Sequence, residues 1–333
     1  MRLTLPFLFS LFALGCSIET TSTNTPGGST PSETPENGTP GDSTKPTTPD
    51  EPKEPWASST APAEVRQMTC PTDDSVHIAT SKGLYTFAND AWKLVAEGDF
   101  KSVHLHDAKL GYAAGDSLLW QRLNGEWAAL DGAAAYKINN VYTSAEGVYL
   151  VGSGFMYTGR NGFPVEPKVM FVANDLTMRP ERAYGNRLTA GSIVSIAGAG
   201  STVALGGSLT MVYSSSGSEW QPFPDDYYLT GTLRSVAVTS MGLYATNGSE
   251  IAMPHGVRYD PVGGGPDIHH LFTWTNYVVA VGAKGAILVL GPKDDDQMFS
   301  APTSDTLSAG CATKDGNIWV AAGTKVLRRR DPI

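Results

Sequence analysis

One stretch constrains this chain more than any other. Residues Gly111–Leu130 read GYAAGDSLLWQRLNGEWAAL. Two short apolar runs are joined by a Gly115-Asp116 turn, and a second turn at Asn124-Gly125 leads into a third run headed by Trp127. Glycine and asparagine supply the φ > 0 positions that hairpin turns need, so the stretch predicts a strand–turn–strand–turn–strand meander. No long 3.6-residue apolar pattern competes with it.

Variants of the unit recur as His77–Phe87, Val148–Gly154, Thr202–Tyr213, Gly242–Met253, Tyr277–Leu290 and Asn317–Arg329. With the first stretch they make seven copies, spaced at roughly 35–55 residues, the span of a four-stranded propeller blade. Each is preceded by another short apolar run, as in Ser102–His106, Ile138–Tyr142, Ser192–Ile196, Leu233–Val238 and Ile268–Phe272, which predicts the innermost strand A. The marker pair supplies strands B and C. Trp92, Trp127 and Trp220 head strand D, where a large apolar side chain packs between neighbouring blades. The expected fold is an all-β, seven-bladed β-propeller of four-stranded blades, preceded by a signal peptide and a disordered tether.

The stretch HDAKLGYAAGDSLLWQRLNGEWAAL, together with Ala280–Leu288, resembles the repeat of photosystem II assembly-factor-type propellers, relatives of the sialidase BNR-like (Asp-box) repeat. The Asp-box pattern itself is not met: near Trp220, Ser215 stands where Asp belongs. The resemblance therefore implies the propeller fold and no activity.

The first residues give the expected address. Met1-Arg2 is a short basic region, Leu3–Leu14 is apolar, and Gly15-Cys16 follows. About a dozen apolar residues are too few to span a bilayer, which needs about 20, so residues 1–15 read as a signal peptide. Ala13-Leu14-Gly15-Cys16 resembles a bacterial lipobox, which implies lipidation of Cys16. Ser17 after it, in place of Asp, implies the outer membrane of a bacterial cell envelope. Residues 16–54 are rich in Thr, Pro, Ser and Gly, with too little apolar surface to offset ordering entropy. They read as a disordered tether with a reach of roughly 35 Å, and residues 55–333 as the propeller domain.

The ends of the domain imply closure. The last copy stops after its strand C, while Glu54–Ser58, with Trp56, stands where a strand D belongs and is expected to complete the last blade. Cys70 and Cys311 lie on the inner strands of the first and last copies. In an oxidising compartment, a Cys70–Cys311 disulfide is expected.

No catalytic motif is present: no Gly-x-Ser-x-Gly elbow, no phosphate-cradling loop, no His-Glu-x-x-His. His104, His106, His269 and His270 lie on two inner strands and read as satisfied or solvent-facing side chains rather than metal ligands. Asp73-Asp74 reads as a turn, Asp294–Asp296 as a solvated acidic loop, and Arg328–Arg330 as a solvated outer patch. The formal net charge of −9 disfavours nucleic acid. No cofactor and no metal are expected. Copy three carries an extra loop with Phe155, Tyr157, Arg160 and Phe163, flanked by Tyr184, Arg187, Tyr227 and Tyr228 on neighbouring connections. Aromatic residues and arginine on loops are typical of binding hot spots. The functional expectation is a lipid-anchored, monomeric, non-catalytic module that binds an envelope protein or glycan. The alternative is a carbohydrate-active hydrolase or lyase.

Overall fold

The structure is a computed structural model. It describes residues 55–333 apart from 74, 132–135, 154–156, 159–163, 166–168, 181–192, 209–210, 215–219, 223–228, 230, 254–255, 260–264, 292–295 and 331–333. The chain divides into units Met1–Glu51 and Pro52–Ile333, and the described residues belong to the second.

Among the described residues, the strands form seven four-stranded sheets and one two-stranded hairpin. Five sheets are meanders of four consecutive antiparallel strands, and the third is such a meander with the two-stranded hairpin Tyr157–Thr158 and Pro164–Val165 inserted between its second and third strands. Sheet one runs Val65–Thr69, Val76–Thr80, Gly83–Ala88, Ala91–Glu97; sheet two runs Phe100–Leu105, Gly111–Gly115, Leu118–Leu123, Glu126–Ala129. The inner strands of sheets three to six are Lys137–Thr143, Ile193–Ala199, Ser235–Thr239 and Ile268–Trp274. Sheet seven is built differently. Ala309–Ala312, Ile318–Ala322 and Lys325–Arg329 supply three strands, and Trp56–Thr60 pairs antiparallel with the third, Trp56 opposite Arg329 and Thr60 opposite Lys325. The N-terminal segment thus covers an edge that would otherwise expose unpaired backbone groups.

The apolar core is not a single mass. It consists of seven clusters, each wedged between two sheets. Ala79, Leu84 and Ala96 of sheet one meet Phe100, Val103 and Ala113 of sheet two. Tyr149 and Phe171 of sheet three meet Ile196, Leu205 and Trp220 of sheet four. The other junctions follow in order, and the last joins Ala309, Trp319 and Ala321 of sheet seven to Val65, Met68 and Ile78 of sheet one. The sheets therefore close into a ring around a central channel. Trp92, Trp127 and Trp220 all pack at such junctions.

The glycine that ends strand B in the repeat has a steric cause. A Cβ at Gly115, Gly152 or Gly282 would stand 2.0, 2.1 or 2.0 Å from the carbonyl oxygen of Asp99, Lys137 or Asp267. The chain crosses over the end of strand B there as it enters strand A. Thr80 stands in place of the glycine in sheet one, and its hydroxyl donates to the Gly83 carbonyl of its own turn at 2.9 Å.

Candidate functional site: the central channel

Every inner strand opens with the same three-residue figure. First comes a buried apolar residue: Val65, Phe100, Ile138, Ile193, Leu233, Ile268 or Leu307. The next residue is Arg66, Lys101, Asn139, Val194, Arg234, His269 or Ser308. In five copies the pairing register skips this residue as a bulge, and all seven line the channel at one mouth. The third position carries Gln67, Ser102, Asn140, Ser195, Ser235, His270 and Ala309.

These third-position side chains tie the ring together. The backbone N–H of Val103 donates to Gln67 Oε1 at 3.2 Å, that of Val141 to Ser102 Oγ at 2.9 Å, that of Val236 to Ser195 Oγ at 3.0 Å and that of Leu271 to Ser235 Oγ at 3.0 Å. Each acceptor caps the fourth residue of the next inner strand. Asn140 instead donates to the Val194 carbonyl at 3.2 Å. Two positions further along, a second belt follows. Leu105 N–H donates to Thr69 Oγ1 at 3.3 Å, and Thr143 N–H to His104 Nδ1 at 3.1 Å.

The first belt has no member at the seam between sheets seven and one, because Ala309 has no polar side-chain atom. The Cys70–Cys311 disulfide stands there instead, with Cα atoms 5.8 Å apart. Cys311 is the fifth residue of its strand figure and Cys70 the sixth, the same offset as Thr69 to Leu105 and His104 to Thr143. The cysteines thus sit one step apart in the repeat rather than at the same position. That step brings two neighbouring inner strands within bonding reach.

The channel has a volume of about 470 Å³. Its wall contains Arg66, Lys101, Arg234, Lys314, His104, His106, His269 and His270 and, among the described residues, no aspartate or glutamate. In a chain of net charge −9 this is a local reversal of sign. The acids stand just behind the mouth: Arg66 pairs with Asp99, Lys101 Nζ with Asp116 at 2.6 Å, and Arg234 Nη1 with Asp267 at 2.6 Å. Asp99 and Asp267 each immediately precede the next inner strand, so both arginine pairs span 33 residues. His269 Nε2 also lies 3.3 Å from Asp267.

His104 and His270 are held neutral. Burial pushes both pKa values down to about 4, with His106 adding to the effect at His104 and a hydrogen bond to the Gly310 backbone opposing it at His270. Because His104 Nδ1 accepts a hydrogen bond, its proton resides on Nε2. A third histidine, His77, lies in the sheet one–two junction. Burial, then the charge of Arg122, lowers it to about 4; its ring contacts the Ser75 carbonyl at 3.2 Å and Arg122 Nη1 at 3.0 Å.

The seam holds a network the sequence did not reveal. Asp73 Oδ2 accepts from Arg328 Nη2 and from Asn317 Nδ2, both at 2.6 Å. Arg328 also lies over the Trp319 ring at 5.1 Å. Asp73 is thus more than a turn residue, and Arg328 is a seam residue rather than part of a solvated patch. Asp296 Oδ1 accepts from the Gly291 backbone at 3.1 Å, whereas 294 and 295 are outside the described residues. Among the described residues, no three His, Cys, Asp or Glu side chains converge to hold a metal ion.

The loop candidates fall elsewhere. Phe155, Arg160, Phe163, Tyr184, Arg187, Tyr227 and Tyr228 lie outside the described residues, as does Cys16. Tyr157 is described only as backbone in the Tyr157–Thr158 strand, paired with Pro164–Val165.

No protein-family model matches the chain, and no curated protein matches it. Solved structures do. The WD40 propeller domain of Doa1 aligns over 83% of this chain and 97% of its own with a TM-score of 0.61 and 12% identity. The fold is a β-propeller. YCF48 bound to D1 peptide aligns over 86% and 99% with a TM-score of 0.60 and 14% identity. Streptogramin B lyase aligns over 82% and 97% with a TM-score of 0.60 and 11% identity. Identities this low show the shared propeller architecture and nothing finer.

Proposed function

We propose that this chain is a seven-bladed propeller of the bacterial cell envelope, lipid-anchored at Cys16 through a tether of residues 16–54. It binds an acidic segment of a partner protein at the channel mouth and catalyses no reaction. The observation that carries the reading is the acid-free, cation-lined channel in a chain of net charge −9. The mouth cations are paired with half-exposed carboxylates, and such pairs are worth only about 0–1 kcal/mol. An incoming carboxylate can exchange for them at little cost. Clustered cations around a concave mouth also raise the encounter rate with an acidic partner.

Orientation favours the same reading. Trp56 pairs at the far end of the sheet from Thr60, so the described chain enters the ring at the face opposite the Arg66–Lys101–Arg234 mouth. One propeller of this architecture, YCF48, is known bound to a peptide. The extra loop of copy three joins strands B and C of its blade, and Tyr227 and Tyr228 belong to the D–A connection after blade four; both connections start from strand ends on the mouth side, so Tyr157, Tyr227 and Tyr228 are proposed as further contacts for the same partner.

The test is binding of a fluorescent hexaglutamate peptide, with a Gly-Ser peptide of equal length as control. Glutamate-specific binding that weakens with salt and is lost in the Arg66→Gln/Arg234→Gln variant is expected. Equal binding of the two peptides, or unchanged affinity in the variant, overturns the reading. Capture of acidic glycan but not of acidic peptide assigns the mouth to carbohydrate instead.

A further inference from the structure

A second concavity lies on the outer side of the seam, remote from the channel mouth. It has a volume of about 200 Å³ and is bounded by the N-terminal strand Trp56–Thr60, Phe87, Asp90, Trp319, Val326, Arg328 and Arg330. Its walls come from both ends of the chain. The N-terminal strand and sheet seven form one side, and the outer turn of sheet one forms the other.

The groove has two chemical faces. Phe87 and Trp319 meet edge to face with ring centroids 5.1 Å apart, and Phe87 also packs on Trp92 at 5.0 Å. With Val326, these rings give an apolar wall. The polar face is rich in donors. Trp319 is 2% exposed, and its indole Nε1 is buried without a hydrogen-bond acceptor in the protein. Arg328 Nε is in the same condition, although its Nη2 is committed to Asp73. Arg330 is exposed at the groove's rim. Buried donors without acceptors are costly, and native structures normally supply the missing acceptor. An N–H of tryptophan and an N–H of arginine both require an acceptor, so the chemistry selects an anion or a neutral oxygen over a cation.

We propose that this seam groove binds a small organic carboxylate with an apolar body, the carboxylate taken by Arg328 and Arg330 and the body laid against Phe87 and Trp319. The volume lies below the 300–1,000 Å³ typical of drug-sized pockets, which limits the ligand to roughly ten heavy atoms. Arginine's planar fork suits a carboxylate, and aromatic walls suit the remainder. Because the groove is built from both ends of the chain, an occupant stabilises the closed ring over any state in which the N-terminal strand is released.

The probe is 3-phenylpropionate, with the neutral 3-phenylpropionamide as control, added to the full oxidised chain and followed by calorimetric titration and thermal unfolding. The expected result is one-to-one binding of the carboxylate, a Tm that rises with its concentration, and a response to the amide at least about tenfold weaker. Arg330→Gln, an exposed position, keeps the unliganded Tm and loses about tenfold or more in affinity. Ala57→Trp, which fills the groove from the strand position opposite Arg328, abolishes binding. The proposal is overturned by absence of heat and of any Tm shift up to about 10 mM probe, by equal binding of the amide, or by unchanged affinity in both variants. Loss of binding in Arg66→Gln/Arg234→Gln would place the ligand in the channel and equally overturn it. The acidic-peptide assay at the mouth is indifferent to Arg330→Gln and Ala57→Trp, so the two sites fail or stand separately.

Discussion

At the scale of single residues, two channel histidines and one in the sheet one–two junction make the protein a pH-dependent structure. His77, His104 and His270 each have a pKa pushed down to about 4 in the folded ring, against about 6.5 in an unfolded chain. Between those values the unfolded chain binds more protons than the folded one, so stability is complete above about pH 6.5 and falls as pH drops toward 4. A shift of that size is worth at most roughly 3 kcal/mol per histidine, and channel water reduces it for His104 and His270, which are only partly buried. His104→Asn keeps an acceptor for the Thr143 N–H and removes the titration. Its urea midpoint is expected to fall less between pH 7 and pH 5 than that of the parent chain. Equal slopes in the two proteins would show that His104 titrates alike in both states. The same scale explains why the mouth charges were hard to read. Arg66 and Asp99 stand 33 residues apart, as do Arg234 and Asp267, and only the blade period tells that such residues touch. The repeated spacing is visible in the sequence, but it acquires meaning once strand A is aligned on Val65, Phe100, Leu233 and Ile268.

At the scale of elements, the two belts of side chain-to-backbone hydrogen bonds show how a ring of separate sheets is fastened. At four junctions the third-position side chain of one inner strand caps a backbone N–H of the next, and Cys311–Cys70 takes the fifth-to-sixth position at the seam. Replacing both cysteines by serine, or reducing the bond, is therefore expected to lower stability by about 2–4 kcal/mol in denaturant titrations of the full chain. A double variant as stable as the oxidised parent would show that the Asp73–Arg328–Asn317 network and the apolar wedge close the seam unaided. That network calls for its own measurement. Asp73→Ala leaves Arg328 partly buried and without its carboxylate, a loss of about 1–3 kcal/mol. Adding Arg328→Met should recover part of it by removing the stranded charge. The strand B, strand C and strand D assignments were legible in the sequence because Gly, Asn and Asp mark turns and tryptophan marks an inter-blade wedge. The seam network was not, since Asp73 and Asn317 resemble any other turn residues until the ring brings them together.

At the scale of the whole molecule, the order of sheets makes the N-terminus structural. A ring of meanders could end flush, with each blade built from one continuous segment. Here Trp56–Thr60 is the outermost strand of the sheet whose other three strands end the chain, so the two termini are joined by backbone hydrogen bonds. Ala61 N–H to Thr324 O at 2.8 Å and Val65 N–H to Gly323 O at 2.9 Å extend the same seam, and Trp92 Nε1 donates to Ser59 Oγ at 3.2 Å across it. The sequence carried this closure in one observation, the missing fourth strand after Arg329. What it could not carry is the energetic division between the tether and the strand that follows it. A chain beginning at residue 52 keeps the whole second unit and is expected to fold with the stability of the longer form. One beginning at residue 62 loses the Trp56–Thr60 strand, exposes the edge of Lys325–Arg329 and uncovers Phe299, against which Trp56 packs at 6.5 Å. Open, partly apolar edges pair with other chains, so the shorter chain should sediment as oligomers or precipitate. Adding the Pro55–Thr60 segment back as a separate peptide should restore monomers. Soluble, monomeric chains beginning at residue 62, with the thermal midpoint of the parent, would show that the ring is held by its wedges and inner belts alone and that the N-terminal strand merely rests on it.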